Sequence, residues 1–88
     1  GITQKHMRGR LADAILYLHE TYGSAVDDNS VGAELKRSDI ASLSNMTTAN
    51  AIRTLSEFAK EGLIAVDKRK IILNQNQLNE LYAISLQV

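Results

Sequence analysis

The chain has 88 residues, a formal net charge of zero and neither cysteine nor proline. That length makes one small domain with too little interior for an extended substrate cleft. The absence of cysteine excludes disulfides, thiolate zinc sites, iron–sulfur ligands and thiol nucleophiles together, and fits a cytosolic protein. No apolar run approaches the roughly 20 residues that cross a bilayer, and the start, GITQKHMRG, lacks the apolar core of a signal peptide, so a cytoplasmic chain without a membrane partner is expected.

Met7, Leu11, Ala14, Ile15, Leu18 and Tyr22 recur at three- and four-residue steps, which predicts one amphipathic helix over residues 3–22, ended by Gly23. The polar, acidic stretch 24–32, with Asp27, Asp28, Asn29 and Ser30, has a loop composition, and residues 31–35 are expected to form a short edge strand.

Two helices are expected next, over about 38–44 and 48–61. Ile40, Ala41 and Leu43 give the first its apolar face, Ala41 being small where a second helix has to cross closely. Asn45 falls where the chain must turn in a left-handed conformation, and asparagine is the best choice there after glycine. Thr47 caps the second helix through its hydroxyl, with Ala51, Leu55, Phe58 and Ala59 along the buried side and Gly62 at the C-terminal end. The exposed side carries Thr48, Ala49, Asn50, Arg53 and Ser56.

After Gly62 the pattern turns extended. Leu63, Ile64, Ala65 and Val66, then Ile71, Ile72 and Leu73, are β-prone runs on either side of Asp67, Lys68, Arg69 and Lys70, which predicts a hairpin with a charged tip. A last helix over about 75–86 places Leu78, Leu81, Tyr82 and Ser85 on one face, to pack on the core. The fold class is therefore mainly α with a small β hairpin (α+β), laid out as a winged helix-turn-helix. In that layout the N-terminal part of the second motif helix enters the major groove of duplex DNA, so Thr48, Ala49, Asn50 and Arg53 would read bases. Arg53 suits guanine O6 and N7 in a bidentate contact, Ala49 offers a methyl, and Thr48 and Asn50 can bond to base edges or phosphates. Lys68, Arg69 and Lys70 supply charge to the phosphate backbone, although the same residues also guard a strand edge against pairing.

The charge distribution is polarised despite the neutral total. From Lys36 to Lys70 seven basic residues face four acidic ones, a local excess of +3, whereas Asp27, Asp28 and Glu34 make the preceding segment acidic. A polarised domain can present a basic face to phosphate. His6 and His19 lie thirteen apart with no carboxylates arranged beside them, no Ser-His-acid arrangement or nucleophile elbow is present, and no glycine-rich phosphate loop occurs. No catalytic, metal or cofactor residue is assigned, and an enzyme is not expected. The rival reading is a winged-helix module that docks a protein without specific DNA binding; the zero net charge and the methyl of Ala49 favour it, and Arg37, Arg53 and the basic hairpin oppose it.

Taken together, RLADAILYLHETYG, then LKRSDIASLSNMTTANAIRTLSEFAKEGLI and the basic hairpin resemble the C-terminal DNA-binding domain of Crp/Fnr-type bacterial transcription regulators. The residues that match are Arg37, Asp39, Ile40, Ala41, Thr47, Arg53, Leu55, Phe58, Glu61, Gly62, Leu63 and Ile64. The resemblance implies that Arg37 and Thr47 lie near the DNA backbone. It also implies a longer regulator, of which residues 1–88 are one domain, with an N-terminal sensor that takes a cyclic nucleotide or another small effector, a homodimer on a near-palindromic operator, and RNA polymerase as a further partner. The chain departs from the pattern at Thr48 and Ala49, where many relatives carry arginine and glutamate, so the operator is not expected to match theirs. Lys36 stands where a capping threonine is usual, leaving Ser38 as the alternative cap. Ser44 and Thr54 stand at apolar positions, which predicts a looser core.

Overall fold

The computed structural model describes residues 4–22, 37–67 and 70–87. In chain order these form α1 (Gln4–Tyr22), α2 (Arg37–Ser44), α3 (Thr48–Lys60), the strands β1 (Ala65–Asp67) and β2 (Lys70–Ile72), and α4 (Gln75–Ser85). The fold is a winged helix-turn-helix, α+β in class, with one two-stranded antiparallel sheet among the described residues. The expected end of α1 at Gly23 and the expected edge strand over residues 31–35 lie outside the described residues.

Helix α1 is the centre of the packing, touching α2, α3 and α4. A helix with three neighbours has to bury more than one stripe. Leu11, Ala14, Ile15 and Leu18 are buried as their spacing requires, and Ala12 and Leu16 are buried beside them. Phe58 of α3, Ile40 of α2, Leu63, Ile64, Ile71 and Leu73 around the hairpin, and Leu81 of α4 complete one core. Fully burying a side chain of this size contributes about 1.5–3 kcal/mol.

Both helices of the helix-turn-helix end in the same backbone device. Asn45 has φ 57°, its amide bonds to Ser42 O at 3.2 Å, and the Met46 amide reaches back to Ala41 O at 2.9 Å. At the end of α3, Gly62 has φ 80°, with bonds from its amide to Ala59 O at 3.1 Å and from the Leu63 amide to Phe58 O at 2.9 Å. The two patterns are Schellman motifs, in which a left-handed residue turns the chain and the last carbonyls are satisfied. At the second, the apolar contact that accompanies the motif joins Leu63 and Phe58, both in the core.

Helix α4 begins in a capping box. Asn74 Oδ1 accepts from the Gln77 amide at 2.9 Å, and Gln77 Oε1 accepts from the Asn74 amide at 2.8 Å. The remaining amide nitrogen of Gln77 donates to Gly62 O at 2.9 Å, which ties the start of α4 to the turn between α3 and β1. At its other end α4 meets α1 through a hydrogen bond from the Tyr82 hydroxyl to Glu20 at 2.9 Å.

Several expectations need correction. Leu43 is 47% exposed and does not join the apolar face of α2; the short helix buries Ile40, Ala41 and Ser44 instead. On α3 the buried line is Ala51, Thr54 and Phe58, with Leu55 partly buried, whereas Ala59 is exposed, being about 100° round the helix from Phe58. Tyr82 is 46% exposed because its hydroxyl reaches Glu20 at the surface, and Leu81, with Leu78 and Ile84, carries the packing of α4. Ser38 falls within the bounds of α2, and its side chain, the alternative cap, lies outside the described residues. The strands are shorter than the apolar runs: Asp67 pairs with Lys70, so both belong to the ladder and residues 68 and 69 alone connect it. Ser44 and Thr54 are buried without orphaned groups, since Ser44 Oγ donates to Ile40 O at 2.7 Å and Thr54 Oγ1 to Asn50 O at 2.9 Å. Hydroxyls that bond back to their own helix let polar residues occupy apolar positions.

Candidate nucleic-acid interface

The geometry of α3 follows from its caps and its amphipathic pattern. Thr47 is extended, with φ −67° and ψ 155°, and its hydroxyl oxygen accepts from the Asn50 amide at 3.2 Å. This is an N-cap, as the sequence requires, and it uses only the acceptor side of the hydroxyl. The hydroxyl hydrogen has no acceptor among the described residues, so Thr47 can cap α3 and donate to a phosphate at once. The amides of the first turn also favour an anion there.

Thr48, Ala49, Arg53 and Ser56 are exposed and Asn50 is half-buried. With the core side centred on Ala51, Thr54 and Phe58, the line farthest from it runs through Ala49, Arg53, Ser56 and Lys60. Arg53 has no ion-pair or hydrogen-bond partner among the described residues, so its guanidinium is available to an external acceptor. Asn50 sits at the edge of this surface rather than on its crest. Lys60, which sequence reasoning did not single out, shares the outward line at the far end of α3, where a cation also complements the helix dipole.

The backbone candidates are placed unevenly. Arg37 opens α2, and Lys70 opens β2. Lys68 and Arg69 lie outside the described residues.

Glu57 of α3 and its C-cap Glu61 are held away from this face by a residue that no spacing in the sequence singles out. Arg8 of α1 donates from Nη1 to Glu61 Oε2 at 2.9 Å and from Nη2 to Glu61 Oε1 at 2.7 Å. Its Nη1 also lies 3.5 Å from Glu57 Oε1, and its guanidinium carbon lies 4.9 Å from the centre of the Phe58 ring. The Arg8 fork holds the Glu61 carboxyl below the usual glutamate range, chiefly through the hydrogen bonds, and Glu61 raises Arg8 in turn. Both partners are partly exposed, so the pair contributes about 0.5–1 kcal/mol after solvent screening, with a similar amount from the ring contact. Glu57 and Glu61 thus share the one positive charge of Arg8, whereas Arg53 and Lys60 have no ion-pair partner among the described residues.

Among the described residues, no three His, Cys, Asp or Glu side chains converge as metal ligands, and no helix is long and apolar enough to cross a membrane. A search of curated proteins finds no match for the chain. A comparison with protein-family models matches residues 9–81 to the Crp-like helix-turn-helix domain, a span that takes in the helix-turn-helix, the hairpin and most of α4. With that match over most of its length, the chain belongs to the Crp-like helix-turn-helix family, a DNA-binding domain of transcription regulation.

Proposed function

We propose that the chain binds duplex DNA sequence-specifically, as one of two half-site readers in a dimeric bacterial transcription regulator. Helix α3 enters the major groove, with Thr48, Ala49, Asn50 and Arg53 toward base edges, and Arg37, Thr47, Lys68, Arg69 and Lys70 hold the phosphate backbone. The observation that carries this reading is the exposed face of α3, on which Arg53 stands free of any partner among the described residues while the helix's own carboxylates are tied to Arg8. Arg53 is the base reader best suited to guanine, because its planar fork matches O6 and N7 together. Thr47 and the first turn of α3 fix the register on the backbone without reading sequence.

In this reading residues 1–88 are the DNA-binding part of a longer protein whose sensor domain takes a cyclic nucleotide or another small effector, with RNA polymerase as a possible contact of the assembled regulator. A single copy binds weakly, and two linked copies gain affinity by effective concentration without new contacts. The test is the salt dependence of binding to duplex DNA. Neutralisation of phosphates gives a log-log slope of roughly −0.9 per contact. A nearly flat salt response would contradict DNA binding and favour a protein-docking module.

A further inference from the structure

We infer that Arg8, on a helix that makes none of the proposed DNA contacts, is a positioning residue for sequence reading by α3. This rests on the reading of α3 as the recognition helix. Ala51, Thr54 and Phe58 bury one line of α3, but apolar contacts have no preferred direction and leave a roll of some degrees to be set by polar contacts. Arg8 supplies the direction. Its fork meets both oxygens of Glu61 at 2.7 and 2.9 Å, reaches Glu57 at 3.5 Å, and lies over Phe58 at 4.9 Å. Those three residues belong to the last turn of α3 and its C-cap, so one planar group restrains both the rotation of the helix and its translation along the axis.

Arg53 lies one turn before Glu57 on the same helix. With side chains about 6 Å from the helix axis, a roll of about 10° displaces a reading group by about 1 Å. That displacement exceeds the useful window of a bidentate hydrogen bond, about 2.7–3.2 Å for N–H to O. Phosphate attraction is far less sensitive to it, being set by charge. Loss of the Arg8 clamp therefore lowers selectivity before it lowers general affinity for DNA.

The test compares the chain with its Arg8→Gln, Arg8→Lys and Glu61→Gln variants in three measurements: enrichment of sequences from a random duplex pool at low salt, affinity and salt slope on a fixed random duplex, and residual dipolar couplings of α1 and α3 amides. The expected result is a folded domain in each case, with the cognate-to-random ratio reduced about five- to thirtyfold, the fold-change that a surface pair plus a ring contact can supply. In Arg8→Gln the salt slope stays unchanged, random-duplex affinity falls less than cognate affinity because the unpaired Glu57 and Glu61 carboxylates weaken both, and the couplings of α3 no longer fit the parent orientation relative to α1. Arg8→Lys, which keeps the charge but loses the fork, does not restore the ratio. If Arg8→Gln instead lowers the salt slope by about one phosphate contact, Arg8 touches DNA and the positioning role is overturned. Unchanged enrichment and couplings in both Arg8→Gln and Glu61→Gln overturn it as well. If the parent chain enriches no sequence, the DNA-reading function itself fails and the role of Arg8 in it fails too, whereas the couplings still report separately whether the clamp orients α3.

Discussion

Replacing Gly62 by alanine isolates one backbone conformation from everything around it. Gly62 has φ 80°, and a Cβ built there meets nothing within 4 Å, so the substitution introduces no clash. What remains is the cost of holding an L-residue in the left-handed region, about 1–2 kcal/mol. Alanine also restricts the unfolded chain and recovers about 0.4–1 kcal/mol of that cost. The net loss is about 1 kcal/mol, or a fall in Tm of about 4–8 °C for a domain of this size. Urea unfolding followed by far-ultraviolet circular dichroism should show a lower midpoint at an unchanged m-value. D-alanine at the same position, introduced by chemical ligation, should be no less stable than glycine, because its preferred φ is the one Gly62 adopts. A loss beyond about 3 kcal/mol would indicate a steric clash, and no loss at all would refute the left-handed turn that sets the entry to the hairpin.

The same logic at the other turn gives Asn45→Gly equal or higher stability and Asn45→Ala a loss of about 1 kcal/mol, both read by urea midpoint. Thr47→Ala should cost about 0.5–2 kcal/mol through the lost cap, and a drop in DNA affinity larger than the change in folded population would reveal its phosphate contact. The Arg8–Glu61 pair should be pH-dependent: the folded-state pKa of Glu61 is depressed, so its contribution is full above the ordinary glutamate range and is lost as pH falls through the lower, folded value. The stability gap between the parent and Arg8→Gln should therefore narrow on acidification from about pH 6 to below about pH 4, in urea titrations at each pH. Arg69→Ala should weaken cognate and random duplexes alike, as removal of a phosphate contact does.

The helix-turn-helix was legible because its signals are local. Asn45, Thr47 and Gly62 each answer a backbone demand that only a few residue types meet, and the structure puts each in that conformation. The errors arose where tertiary context decides. Leu43, Ala59 and Tyr82 fit apolar periodicity but face outward, because the width and centre of a buried stripe depend on which helices are opposite. Ala12 and Leu16 are buried for the complementary reason, since α1 is packed against three helices. Thr54 is polar at an apolar position, and its back-bonded hydroxyl explains how it lies in the buried line of α3.

For the interface, the exposed face of α3 could be read from spacing, and Arg53 stands on it as expected. Arg8 could not be found that way. Its partners Glu57 and Glu61 are roughly fifty positions away in sequence, and no short-range pattern links a surface arginine on one helix to two carboxylates on another. Charge counting over a window also misses that Glu57 and Glu61 share the positive charge of Arg8, which lies outside the window.

The measurement that bears most directly on the central claim is selection from a random duplex pool by the chain joined to a dimerising helix, in parallel with its Arg53→Ala variant. The account predicts enrichment of an inverted repeat whose guanine preference disappears in the variant, with a loss of about 1–3 kcal/mol on the selected site and little change on random DNA. Enrichment of no sequence at low salt, or an equal loss on cognate and random duplexes, would contradict base reading by Arg53.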